Sequence, residues 1–258
     1  MSAPAAAGLV DSHCHLDLLS VGADKALAEA REAGVGTVVA VGIDVASSWR
    51  AVDLARRYEG VYATVGLHPH DAASFDDRVL DELERLARSP RVVAVGETGL
   101  DLYRERSPRD VQRRAFLWQV ELARETGKTL VVHMREAAPD TFALLAEHAE
   151  GLRVVLHCFS AASYIGECNA RGYFVSFAGN LTYKNAGDLR EAARFVREEL
   201  VLVETDAPFL APVPKRGKDN VPAWLTFTAA QLGELRGWSA EMTAAVTTRN
   251  ARRAFGLE

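Results

Sequence analysis

Histidines and carboxylates fall together in short motifs along this 258-residue chain: DSHCHLD at 11–17, GLHPH at 66–70, VGETGLD at 95–101, VVHMR at 131–135, LHCFS at 156–160 and ETDAP at 204–208. Nearly all of them sit where a β-branched run gives way to a loop. Imidazole nitrogens and carboxylate oxygens at the same end of successive strands are the donor set of a divalent-metal site. His13 and His15 are one residue apart, so both can point into one cavity and grip one cation. With Glu97, His133, His157 and Asp206 they make six candidate ligands, more than one tetrahedral ion uses. The economical arrangement is two ions sharing Glu97, with His13 and His15 on one and His133 and His157 on the other. Zn, Mn, Ni or Fe suits such ligands, and a more oxygen-rich position suits Mg.

The chemistry of such a pair is hydrolysis, because two nearby cations both activate a water and stabilise the charge that develops on the attacked group. Asp206 is expected to be ligand and base together, and His68 to contact a phosphate or a metal-bound water. His70, beyond Pro69, is expected to structure its turn, and His148 falls within a helical stretch away from any strand end. Arg135, two residues after His133, is a candidate clamp for an anionic substrate. Lys215, Arg216 and Lys218 occupy a Pro- and Gly-rich loop at 211–222, which is expected to bind substrate phosphates.

Short apolar runs that could hold these residues lie at 8–12, 35–41, 61–67, 92–96, 129–132, 153–156, 173–177 and 200–203. Between them, amphipathic stretches predict helices at 24–33, 46–58, 76–88, 108–126, 139–148, 164–171, 188–199 and 222–235, with a further helix or helix pair at 239–255. Strands apolar on both faces that alternate with helices predict an α/β chain, and eight such units predict the closed (β/α)8 TIM barrel. A doubly wound open sheet is the alternative fold. No repeat or linker divides the sequence, so a single domain over 1–258 is expected.

The composition, 48% hydrophobic and 25% charged, is that of an ordinary globular enzyme, and no apolar run nears the roughly 20 residues a membrane helix needs. The opening MSAPAAAG has neither a basic start nor an apolar signal core and reads as a disordered tail. Cys14, Cys158 and Cys168 form no CxxC pair, so a disulfide framework is not expected and a reducing cytoplasm fits; Cys14 and Cys158 are expected to be packing residues, and the protein is expected to be a monomer. A net charge of −5 argues against a broad basic surface for long nucleic acids, although bound cations would make the cavity locally positive.

Taken together, the motifs from DSHCHLD to ETDAPFLAP and the closing NARRAFG at 250–256 resemble the TatD family of metal-dependent deoxyribonucleases, among the amidohydrolase-like metal-barrel enzymes. The resemblance spans nearly the whole chain. It implies a barrel, divalent metals and hydrolysis of DNA from single-stranded ends. It maps metal binding onto His13, His15, Glu97, His133, His157 and Asp206, and places His68 in the active site. Two loop positions depart from the family pattern: Ala161 stands where a glycine often follows HCFS, and Asn220-Val221-Pro222 where the family often has Asn-Glu-Pro. Many barrel amidohydrolases bridge their metals with a carboxylated lysine on the fourth strand. Here Glu97 stands there and the nearest lysine, Lys128, precedes the fifth, which points toward phosphoester or related ester chemistry. A TatD-like D-aminoacyl-tRNA deacylase is the competing enzyme reading. A non-catalytic metal-stabilised binding protein fits poorly, because closed structural sites favour cysteines and this donor set has none.

Overall fold

The computed structural model of the protein describes residues 8–257, so the tail expected at the start lies outside it apart from Gly8. The β-branched runs form eight strands: β1 (Leu9–Cys14), β2 (Val35–Val41), β3 (Val61–Val65), β4 (Val92–Asp101), β5 (Thr129–Arg135), β6 (Val154–Leu156), β7 (Phe174–Phe177) and β8 (Val201–Val203). They pair in parallel and in chain order. Val39, Val65, Val131, Val175 and Val201 are fully buried, because each strand faces both the barrel interior and a surrounding helix. Burying such a side chain stabilises the fold by about 1.5–3 kcal/mol, which is why the strands read as unbroken apolar runs.

Helices α1 (Ala23–Glu32), α2 (Val45–Arg57), α3 (Asp77–Ala87), α4 (Arg109–Thr126), α5 (Ala138–His148), α6 (Ile165–Arg171), α7 (Gly187–Phe195) and α8 (Leu225–Arg236) follow β1 to β8 in turn. α7 stops four residues before the predicted end. The Arg236 guanidinium donates to the carbonyls of Ala193, Arg194 and Val196, capping the helix there, and Val196 turns extended. The terminal stretch forms one helix, α9 (Ala240–Phe255), started by a Ser239 cap on the Met242 amide and ended by Gly256 at φ +62°.

Closure of the barrel, which rules out the open sheet, takes place at a seam between β1 and the chain beyond β8. At the loop-bearing end the Asp206 amide donates to His13 O at 2.9 Å and the His15 amide to Ala207 O at 2.8 Å. Farther down, α9 lies across the same seam. Asn250 Nδ2 donates to Glu198 O and Val201 O at 2.6 and 2.9 Å, while the Thr248 hydroxyl donates to Gly8 O at 3.2 Å.

Two irregularities aim the chemistry. Between Asp11 and Cys14, β1 advances three residues while β2 advances two, from Val38 to Ala40. Between Val95 and Thr98, β4 likewise gains one residue on β5, from Leu130 to Val132. An extra residue bends a strand and re-aims its side chains, and these two bulges hold His13 and Glu97. Gly96 and Gly99 flank Glu97 at φ +137° and +136°, and a Cβ on them would lie 2.4 Å from Val131 O and 2.0 Å from His133 O. Only glycine allows β4 to approach β5 so closely. The pairing therefore continues past the predicted ends, through Asp101 on β4 and Arg135 on β5.

Asn250→Ala should leave the carbonyls of Glu198 and Val201 without that donor. A loss of about 2 kcal/mol is expected, read as a melting temperature lower by roughly 4–8 °C. An unchanged melting curve would remove α9 from its role in closing the seam.

Candidate metal centre

β4 delivers Glu97 to the middle of the barrel mouth, 3% exposed, and five imidazoles surround its carboxylate. On one side Oε2 faces His13 Nε2 at 3.3 Å and His15 Nε2 at 3.8 Å, both carried by the end of β1 and the residue after it. On the other, Oε1 faces His133 Nδ1 and His157 Nε2 at 2.9 Å each, and His68 Nε2 at 3.3 Å. Asp206 stands across the first group, its Oδ1 lying 3.4 Å from His15 Nε2 and 3.8 Å from His13 Nε2. The fold thus gathers His13, His15, His68, Glu97, His133, His157 and Asp206, all read from the sequence, into one cluster.

The outward nitrogens of two of these rings are held by carboxylates. Glu204, fully buried just beyond β8, accepts from the Cys158 amide at 2.7 Å and faces His157 Nδ1 at 3.3 Å. Asp101, at the end of β4, faces His133 Nε2 at 3.2 Å and His70 Nε2 at 2.8 Å. A carboxylate behind an imidazole fixes the proton on the outer nitrogen and leaves the inner lone pair free. Sequence reasoning assigned no role to Glu204 or Asp101, although both are charged residues inside the quoted motifs. His70 does more than shape its turn: it shares Asp101 with His133, and its amide donates to His68 Nδ1 at 3.0 Å.

That last bond decides the protonation of His68. Burial lowers its imidazole to about 4, against the pull of the Glu97 charge, so the ring is neutral near pH 7. With Nδ1 accepting from His70, the single proton sits on Nε2, which faces the cavity as a donor. Burial pushes the Glu97 carboxyl up, but the surrounding imidazoles, His157 foremost, outweigh it and hold the group well below its ordinary value. Asp206 is likewise held low, because the His15 bond and charge outweigh burial. Both carboxylates are therefore charged and ready as donors.

Farther out, Arg135 lays its guanidinium over the Tyr103 ring at 4.0 Å. Arg216 stacks on Tyr183 at 4.2 Å, and Lys215 Nζ lies over Trp224 and Phe227 at 5.4 and 5.9 Å. Lys218 is exposed. These four cations stay outside the cluster. Cys14 is buried in the apolar core as expected, whereas Cys158 lies against the cluster with its amide on Glu204.

Among the described residues, three sets of side chains bring donor atoms close enough to hold a metal ion: His13, His157 and Asp206; His13, His15 and Glu97; His68, Glu97 and His133. Residues 10–256 match the profile of the family described as TatD related DNase. The chain belongs to that family. A Mycobacterium tuberculosis relative named "Uncharacterized metal-dependent hydrolase TatD" is 44% identical over 262 residues, covering 96% of this chain and 98% of its own. The Klebsiella pneumoniae protein named "3'-5' ssDNA/RNA exonuclease TatD" is 36% identical, with 91% and 92% covered. The crystal structure of the TatD homolog YJJV from Escherichia coli superposes with a TM-score of 0.91 at 28% identity, over 97% of this chain and 98% of that one. The protein is a TatD-family metal-dependent hydrolase on a TIM barrel. No helix among the described residues is long and apolar enough to cross a membrane.

Glu204→Gln keeps the size of the side chain and an acceptor for Cys158, but removes the charge behind His157. It should weaken divalent-metal retention about tenfold in chelator competition, with little change in melting temperature for the metal-free protein. Undiminished metal affinity would make Glu204 a packing residue.

Proposed function

We propose that this TatD-family hydrolase binds two divalent ions astride Glu97 and cleaves phosphodiester bonds at the ends of single-stranded nucleic acid. The observation that carries the reading is the division of the Glu97 carboxylate, with Oε2 toward His13 and His15 and Oε1 toward His133 and His157. The residues fit metal ions: His13 is fully buried, and among the described residues neither of its ring nitrogens has a hydrogen-bond partner. A buried imidazole left so is a ligand in waiting. The exonuclease name of relatives 36% identical over most of the chain supports the substrate class. The absence of a lysine at the bridging position supports phosphoester over amide chemistry.

In this reading His13, His15 and Asp206 would hold one ion, His133 and His157 the other, and Glu97 would be shared between them. When bound, the ions lower the pKa of the attacking water and neutralise charge on the phosphate. Asp206, kept ionised by His15, takes the proton from that water. His68 donates its Nε2 hydrogen to a phosphate oxygen. Arg135 stands outside the cluster, placed for a neighbouring phosphate, and Lys215, Arg216 and Lys218 add attraction from the late loop.

Purified protein supplied with Zn, Mn, Mg, Ni or Fe should shorten end-labelled single-stranded DNA stepwise, and chelator should stop it. Metal-soaked crystals should give two anomalous peaks flanking Glu97. Release of the amino acid from D-aminoacyl-tRNA with no shortening of DNA would overturn the phosphodiester reading, and one peak with Glu97 turned away would overturn the metal arrangement.

Asp206→Asn should fold and still retain metal, but lose about 10²–10⁴-fold in turnover, the scale of general-base catalysis. Near-wild-type turnover at unchanged metal content would remove Asp206 from the role of base.

A further inference from the structure

Two exposed aromatic rings flank the Glu97 cluster, and neither takes part in the chemistry described above. Phe209 is 51% exposed and meets His15 edge to face at 5.7 Å between centroids. Its backbone is fixed at both ends: its amide donates to Asp206 O at 2.8 Å, and its carbonyl accepts from Asn220 Nδ2 at 2.8 Å. Tyr103 is 55% exposed, its amide donates to Asp101 Oδ1 at 3.1 Å, and Arg135 covers one face of its ring. Each ring is thus tied through one residue to a histidine of the cluster, Phe209 beside Asp206 and His15, Tyr103 through Asp101 to His133. In a barrel ordered β1 to β8, the β8–β1 seam and the β4–β5 pair lie diametrically opposite. The rings stand on opposite sides of the mouth.

A single exposed aromatic needs no explanation, but two rigidly held rings across one anionic-substrate cavity do. Every nucleobase offers a π-face, and an aromatic platform binds it without regard to sequence. Bases inside a duplex are already stacked on each other and cannot use such platforms. The chain also carries a net charge of −5, so a long phosphate-binding track is not what holds a strand on it.

We infer that Phe209 and the Tyr103–Arg135 pair are nucleobase-stacking subsites, each holding one unstacked base on its side of the scissile phosphate. This rests on the nucleic-acid reading of the site and adds to it a physical source for single-strand preference. Affinity arises from stacking more than from phosphate contacts, so it falls only gently with salt.

The test uses the metal-loaded protein and short single-stranded oligonucleotides whose phosphorothioate linkages resist cleavage, with 2-aminopurine next to the terminal linkage. Binding to the wild type should quench the fluorescence as the base stacks. Phe209→Ala should lose that quenching and bind about tenfold more weakly, the scale of one stacked base, whereas Phe209→Trp should restore both. Replacing the base by an abasic residue should erase the difference between Phe209→Ala and wild type. Tyr103→Ala and Tyr103→Phe, probed one nucleotide to the other side of the linkage, should repeat the pattern, with the phenylalanine retaining affinity. Equal affinity for wild type and Phe209→Ala, or a difference that persists on the abasic strand, overturns the stacking subsites while leaving the nuclease reading in place. Failure of the wild-type protein to bind any oligonucleotide overturns that reading and this inference with it.

Discussion

A carboxylate buried at 3% exposure is the constraint from which the site is built outward. An ionised carboxylate taken out of water carries a penalty of several kcal/mol, recovered only when positive charge and hydrogen bonds surround it closely. Glu97 is ringed by imidazoles on β1, β5 and the segments after β3 and β6. Those rings must in turn face inward, which obliges Glu204 and Asp101 to hold them from behind. The requirement passes on again: Glu204 is steadied by the Cys158 amide, and Asp101 by the amides of Tyr103 and Arg104. Each shell exists because the one inside it would otherwise be unsatisfied.

The same constraint shapes the backbone. Regular strands would not bring a β1 histidine and a β4 glutamate to 3.3 Å while keeping both strands in the barrel. The bulges after Asp11 and Val95 supply the reach. Asp11 stabilises the first of them. Its buried carboxyl accepts from the Thr205 amide and faces the Thr205 hydroxyl, binding the start of β1 to the chain beyond β8. Burial drives this carboxyl up to about 7 against those hydrogen bonds, so it is held as a latch where a charge is poorly tolerated.

The strand–helix alternation was legible because the apolar runs are β-branched, short and evenly spaced, and seven of the candidate site residues were legible because they close those runs. What stayed hidden depends on register and on side-chain direction. Nothing in VGETGLD announces that Glu97 sits on an extra residue, or that the pairing resumes and carries Asp101 to the back of His133. Glu204 precedes Asp206 by two residues, yet the left-handed turn of Asp206 at φ +54° separates their directions, one toward His157 and the other toward His15. The end of α7 was misplaced because its cap, Arg236, comes from forty residues later. Local pattern cannot contain a partner that distant.

The stitch made by α9 has a temporal meaning as well. His13 and His15 leave the ribosome well before Asp206, and the helix that fastens their two strands together follows them all. A nascent chain that has completed its eighth strand still carries an open edge on each side of the seam. Such an edge is a template for pairing with other chains until it is covered. Emergence of Thr248 and Asn250, which fasten the lower part of the seam, therefore ends the interval of greatest exposure to misassembly.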